Sequence, residues 1–306
     1  MFWKKKNKNN SEIPESDPGS TKLNSADIKV IIKTDMGNVR TNNEDSASFF
    51  RIADENIIRE KGYLLIVADG MGGHLAGEVA SKMAVDITSE EYFKATNNSK
   101  TEKILAKSFS VSNKKIFQLA SSNDQYKGMG TTNTALVILG QSIYYAHVGD
   151  SRAYLYKNSL LTRITEDHTF VQQLVNAGDI TAAEADTHPQ RNILTNAMGT
   201  KEDVRIDTGK CIASFEPGDR VLLCSDGLYD YLQDNEIAAV MGYKSMLEAA
   251  EYFIAEAKRR GGADNITVIL AEMENVPKET SLKTTREVYL PKLTRDADLP
   301  TNTTNL

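Results

Sequence analysis

Two cysteines in 306 residues, Cys211 and Cys224, are too few for a disulfide framework and point to a reducing compartment. No stretch of about 18 apolar residues occurs, so no membrane-spanning helix is expected. Positive charge is not in excess. Lys and Arg number 36 against 42 Asp and Glu, a net charge of −6, so a nucleic-acid role has no electrostatic footprint. No Gly-x-x-x-x-Gly-Lys-Ser/Thr loop is present, which argues against an ATPase. Met1-Phe2-Trp3 is followed at once by Lys4, Lys5 and Lys6 with no apolar stretch behind them, unlike a secretory signal. These absences lead to the expectation of a soluble, cytoplasmic protein.

The apolar content of 40% supports a real core. Residues 1–26 are rich in Lys, Asn, Ser and Pro, and residues 275–306 are Thr-rich and charged. Such compositions cannot bury enough surface to order themselves, so both are expected to be disordered tails around one domain of residues 27–274. Within that block strands are expected at Ile28–Thr34, Ser46–Ile52, Thr132–Leu139, Ile143–Val148, Ser151–Tyr156 and Leu160–Arg163. Further strands are expected near 204–208, 219–225 and 265–272. Helices are expected from about Gly77 to Phe93, from about Glu102 to Ala120 and near 246–259, with short helices and loops over 168–199. Short links between strands imply antiparallel pairing. The expected fold is α+β, an α-β-β-α sandwich of two mainly antiparallel sheets flanked by helices.

Four apolar runs carry an acidic residue at one end. Leu64-Leu65-Ile66-Val67-Ala68 precedes Asp69-Gly70, and Val221-Leu222-Leu223-Cys224-Ser225 precedes Asp226-Gly227. Ile143 to Gly149 precedes Asp150, and Asp264-Asn265 precedes Ile266-Thr267-Val268-Ile269-Leu270. If these strand ends share one rim of a sheet, the carboxylates repel. Two of them about 4 Å apart do so by roughly 4 kcal/mol at an effective dielectric near 20. Protonation or cations must relieve that, and oxygen-only ligands select hard ions such as Mg²⁺, Mn²⁺ or Ca²⁺. Taken singly, each segment also has a structural reading. Asp150 could pair with Arg152 in a turn, Asp226 could cap a helix, and Asp264-Asn265 could be a polar turn.

With Arg40-Thr41-Asn42-Asn43-Glu44-Asp45, Asp69-Gly70-Met71-Gly72-Gly73-His74, Gly130-Thr131-Thr132, Gly149-Asp150-Ser151-Arg152, Thr165-Glu166-Asp167-His168, His188-Pro189-Gln190-Arg191-Asn192, Ser225-Asp226-Gly227 and Asp264-Asn265 in this order, the chain resembles a known family. It is similar to the metal-dependent serine/threonine protein phosphatases of type 2C (PPM), bacterial branch, over about residues 28–274. The resemblance implies two tightly bound Mn²⁺ or Mg²⁺ ions between the sheets. Asp69 is expected to bridge them, Asp226 and Asp264 to hold one, and Glu44 and the carbonyl of Gly70 the other, with Asp45 supporting a water. Asp150 is expected, with Asp226, to hold a third, weaker ion. Arg40 matches the phosphate-binding arginine. The histidine of the animal enzymes has no clear equivalent, which leaves His74 as a candidate acid.

The implied reaction is hydrolysis of phosphoserine and phosphothreonine in proteins by a metal-activated water, opposing a serine/threonine kinase. The expected partners are that kinase and its substrates, and the expected state is a monomer. A cysteine phosphatase would need Arg six residues after its Cys; Asp230 and Pro217 stand there instead. Asp296-Ala297-Asp298 has the letters of an aspartate-nucleophile site, but it lies in the polar tail.

Overall fold

Strand β3 (Tyr63–Met71) shows how this sequence builds its layers. Its side chains alternate between faces, and both faces are covered, so the run is apolar from Tyr63 to Ala68. Leu64, Ile66 and Ala68 belong to one buried cluster, and Leu65 and Val67 to another. The computed structural model describes residues 28–72, 75–96 and 99–274, all within one compact unit. The two expected tails and His74 lie outside the described residues.

The strands are β1 (Ile28–Asp35), β2 (Asp45–Phe50), β3, β4 (Gly130–Thr131), β5 (Asn133–Leu139), β6 (Ser142–Val148), β7 (Arg152–Lys157), β8 (Leu160–Arg163), β9 (Asp207–Lys210), β10 (Arg220–Cys224) and β11 (Ile266–Met273). The α-helices are α1 (Glu55–Lys61), α2 (Leu75–Lys94), α3 (Thr101–Ser122), α4 (Phe170–Ala177), α5 (Ala182–Asp186), α6 (Asp226–Tyr229), α7 (Asp234–Tyr243) and α8 (Met246–Arg260). One sheet has the order β1-β11-β10-β7-β8 and the other β2-β3-β5-β6-β9, with β4 paired to β3. All these pairings are antiparallel.

Three apolar clusters fill the spaces between four layers. Leu65, Val67, Leu136, Leu155, Leu223 and Ile269 meet between the sheets. Ala80, Ala84 and Phe109 of α2 and α3 pack on Leu64, Ile66 and Val137. Val240 and Phe253 of α7 and α8 pack on Leu222, Val268 and Leu270. The expected helix-sheet-sheet-helix sandwich is therefore the observed one.

Three helices, α1, α7 and the single turn α6, fall outside the expected helices. The strand expected near 204–208 instead covers Asp207–Lys210, where it pairs with the edge of β6 through Ala146 and Thr208. No helix among the described residues is long and apolar enough to cross a membrane.

Phe109 and Phe253 are both fully buried, one in each helical layer. Phe109→Ala and Phe253→Ala are each expected to cost about 3–5 kcal/mol in denaturant unfolding. A loss below about 1 kcal/mol at either site would show that its layer is not part of the cooperative core.

Candidate metal and phosphate site

The register of the sheets gathers the acidic residues at one edge. In the first sheet Cys224 pairs with Val268 and with Arg152. Asp226, two residues past Cys224, Asp264, just ahead of β11, and Asp150, two residues before Arg152, therefore leave the sheet on the same side. In the second sheet Asp45 pairs directly with Asp69. The four carboxylates expected at strand ends and the Glu44-Asp45 pair thus meet where the two sheets face each other.

Backbone contacts fix each group. The N–H of Asp69 donates to Thr132 Oγ1 at 2.8 Å, and its carbonyl accepts from the N–H of Thr132 at 2.9 Å and from Thr131 Oγ1 at 2.8 Å. Ser225 Oγ donates to Asp45 Oδ2 at 2.7 Å and accepts from the N–H of Thr267 at 3.0 Å, which ties one sheet to the other. Asn265 clamps the loop that carries Arg40 and Glu44. Its Oδ1 accepts from the N–H of Glu44 at 2.8 Å, and its Nδ2 donates to the carbonyls of Met36 and Asn42 at 3.0 and 2.9 Å. The sequence reading gave Ser225 and Asn265 no role of their own. Their adjacency to Asp226 and Asp264 was the available signal.

Glu44 sits in a recess made by two glycines. Its carbonyl accepts from the N–H of Gly70 at 3.1 Å and from Ser81 Oγ at 2.6 Å. A Cβ on Gly77 would lie 2.1 Å from Glu44 Oε2, and one on Gly70 would lie 2.2 Å from the Gly77 carbonyl oxygen. Only glycine lets α2 start this close to the carboxylate.

The donor set suits hard divalent cations. Its members are oxygens, and Asp45 Oδ1 and Asp226 Oδ1 are buried with no hydrogen-bond partner. A buried carboxylate oxygen left unpaired is costly unless a cation or proton answers it. Burial and neighbouring carboxylates push Asp69 and Asp226 well above the usual range. Burial pushes Asp45 up to about 6, and burial with Asp167 pushes Asp150 up to about 7. Among the described residues, no group of three or more His, Cys, Asp or Glu side chains is arranged to hold a metal ion as it stands. Arg40 Nη2 donates to Asp264 Oδ2 at 2.6 Å. The two residues expected to serve phosphate and metal are thus partners.

Two of the three structural alternatives for these segments are not what is observed, and the third, the Asp264-Asn265 turn, is. Arg152 makes its ion pair with Asp167, Nη2 to Oδ2 at 2.7 Å. Ser225, not Asp226, precedes the first turn of α6 as its cap residue. Asp264 Oδ1 does accept from the N–H of Asn265 at 2.8 Å, the polar turn, and its other oxygen goes to Arg40. Segment 168–199 reaches the site: Thr169, Gln172 and Arg191 line a cavity of about 140 Å³ together with Asp150 and Asp230. His147 is buried between Thr134 Oγ1 at 2.8 Å and the carbonyl of Glu166 at 3.0 Å. His168 Nδ1 accepts from the N–H of Gly149 at 3.1 Å.

The profile of the protein phosphatase 2C family matches residues 41–267. The serine/threonine phosphatase stp of Listeria monocytogenes is 40% identical over 250 residues, covering 80% of this chain and 96% of that protein. The solved Mycobacterium tuberculosis serine/threonine phosphatase PstP/Ppp superposes with a TM-score of 0.70 at 36% identity, covering 81% of this chain and 99% of that one. The catalytic domain of the phosphatase PstP in complex with two manganese ions does so with a TM-score of 0.67 at 34% identity, covering 81% and 99%. The chain belongs to the protein phosphatase 2C family and is a metal-dependent serine/threonine protein phosphatase.

Two outcomes follow from this geometry. Gly→Ala in a helix ordinarily stabilises by up to about 1 kcal/mol. Gly77→Ala should instead displace the Glu44 carboxylate, leaving the melting temperature level or higher while Mn²⁺ affinity by calorimetry falls roughly tenfold or more. Unchanged Mn²⁺ affinity would mean that Glu44 is not needed at the site.

The second concerns pH. Asp45 and Asp150 ordinarily titrate near 3.8 and are raised here to about 6 and about 7. Between those values the folded protein holds protons that the unfolded chain has released, so cation-free stability falls as pH rises through this window. Cations need the deprotonated groups, so they should stabilise more at higher pH. In EDTA the melting temperature should be lower at about pH 8 than at about pH 5.5, and the rise on adding Mn²⁺ should be larger at pH 8. An EDTA melting temperature that climbs with pH would contradict this.

Proposed function

We propose that Asp69, Asp226, Asp264, Glu44 and the carbonyl of Gly70 hold two Mn²⁺ or Mg²⁺ ions, with Asp45 orienting a bound water. Asp150 and Asp226 serve a third, weaker ion. The observation that supports this reading is the register itself, which brings strand-end carboxylates from both sheets to one edge and leaves two of their oxygens buried and unpaired. Bound cations supply a water of lowered pKa and neutralise charge that develops on the phosphoryl group.

The residues do the rest. Arg40, exposed at the mouth, offers its guanidinium to the phosphoryl oxygens of phosphoserine or phosphothreonine. Asp264 is its present partner; were that carboxylate to hold a cation, Arg40 would be free to turn to the substrate. A cysteine nucleophile is not available. Cys224 is fully buried with its thiol pushed up, and burial raises Cys211 to about 11. His74 is proposed as the group that protonates the leaving oxygen.

The catalytic domain is residues 27–274. Its substrates are phosphoproteins in the cytoplasm, the products of an opposing serine/threonine kinase, and it works as a monomer.

Turnover of a phosphothreonine peptide should stop in EDTA. Asp69→Asn should lose both tight Mn²⁺ steps in calorimetry. Arg40→Ala should keep them at equal or higher affinity, since it removes a competing cation from Asp264. Losing one charged hydrogen-bond partner is worth about 1.5–3 kcal/mol, so its kcat/KM should fall roughly 10- to 150-fold, mainly through KM. Normal two-step binding by Asp69→Asn would sink the ligand assignment.

A further inference from the structure

Between Asp150 and Asp226 lies a polar network that the chemistry above does not use. Helix α6 is a single turn from Asp226 to Tyr229. Residues three apart on a helix share a face, so Tyr229 stands on the same side as Asp226. Its hydroxyl donates to the backbone carbonyl of Asp150 at 3.0 Å. Its ring lies against the guanidinium of Arg152, whose Cζ is 3.6 Å from the ring centroid.

That guanidinium is itself fixed. Arg152 Nε donates to the two oxygens of Asp167 at 3.2 and 3.1 Å, and Nη2 donates to Oδ2 at 2.7 Å. Arg163 Nη1 adds a contact to the same oxygen at 3.3 Å, and Arg152 Nη1 reaches the Tyr154 hydroxyl at 3.4 Å. A held cation thus backs the ring, while the hydroxyl ties residue 150 to the helix that begins with residue 226.

We propose that Tyr229 is a positioning residue that sets the spacing between the Asp150 and Asp226 carboxylates, and through it the affinity of the weak peripheral ion. The inference rests on the assignment of that ion to these two residues. A site with few protein ligands gains most from having them already in place, because ordering them on binding costs affinity. Tyr229→Phe keeps the ring and its stack on Arg152 and removes the single tie to residue 150.

The test uses the full chain as wild type, Tyr229→Phe, Asp150→Ala and Tyr92→Phe. Tyr92 is a comparable buried phenol on α2 whose hydroxyl donates to the Lys61 carbonyl at 2.7 Å, away from residues 150, 152 and 226. Free Mn²⁺ is followed by electron paramagnetic resonance during titration, and phosphothreonine-peptide turnover is measured over the same concentrations. In Tyr229→Phe the weakest binding step and the half-activating Mn²⁺ concentration should both rise roughly three- to tenfold, the size of one hydrogen bond. The tight steps and kcat at saturating Mn²⁺ should stay within about twofold of wild type on the same scale.

Tyr92→Phe should superimpose on wild type in Mn²⁺ dependence. Arg152→Lys, which keeps the charge and loses the planar stack, should move the weak step in the same direction as Tyr229→Phe and serves if the Phe variant folds poorly. If Asp150→Ala loses the weak step while Tyr229→Phe and Arg152→Lys do not move it, Tyr229 is structural and the inference fails. If Asp150→Ala keeps the weak step, the ion assignment fails and takes the inference with it.

Discussion

Like charges crowded at the edge of two sheets are the constraint on which the rest of this molecule turns. Unit charges about 6 Å apart repel by roughly 3 kcal/mol at an effective dielectric near 20, and here several carboxylates share one rim. The raised pKa values of Asp45, Asp69, Asp150 and Asp226 are the record of that repulsion added to burial. Such an edge does not assemble for its own stability. The energy that holds it comes from the three apolar clusters below, in which residues such as Leu64, Leu65, Leu222 and Ile269 are fully buried.

The same clusters select the register, and the register selects the site. A one-residue slip of a strand exchanges its two faces. For β3 that would put Leu65 and Val67 where Leu64 and Ile66 now pack, and it would move Asp69 away from Asp45. The core therefore enforces the carboxylate positions indirectly, through packing that has no need of a cation. Short polar ties then lock the last residues of each strand. The hydroxyls of Thr131, Thr132 and Ser225 and the amide of Asn265 engage main-chain groups or carboxylates at that edge.

Much of this was legible in the sequence because strands buried on both faces announce themselves as continuous apolar runs. The acid at the end of each run then marked the rim. What could not be read was partnership across distance. Arg152 sits two residues from Asp150, yet it pairs with Asp167. Arg40 pairs with Asp264, which is 224 residues away along the chain. Helix α1 spans seven residues, too short a segment for a clear period, and is capped by Asp54, whose side chain accepts from the N–H of Asn56. Strand β9 has the sequence Asp-Thr-Gly-Lys, in which only Thr208 favours a strand, and it is placed in the sheet by the open edge of β6. In each case tertiary context outweighed local preference.

The division of labour between the loop and the strands follows from what each must tolerate. On the proposed assignment a metal ligand has to stay put while its charge is uncompensated, and Asp69 is held through both its N–H and its carbonyl. A phosphate-binding group has to meet a large, hydrated partner, so its side chain must reach solvent. Arg40 does so, with about half of its side chain exposed (48%), on the β1–β2 loop, which the Asn265 side chain just ahead of β11 holds at both Met36 and Asn42. Asn265 therefore connects the two requirements. It follows Asp264 directly and carries the N–H of Glu44 on its own amide oxygen, so any shift of the Arg40 loop is felt by the carboxylates on either side. The proposed phosphate-binding loop and the proposed ion ligands share one mechanical element, and that element is uncharged, which lets it hold position whatever the charge state of its neighbours.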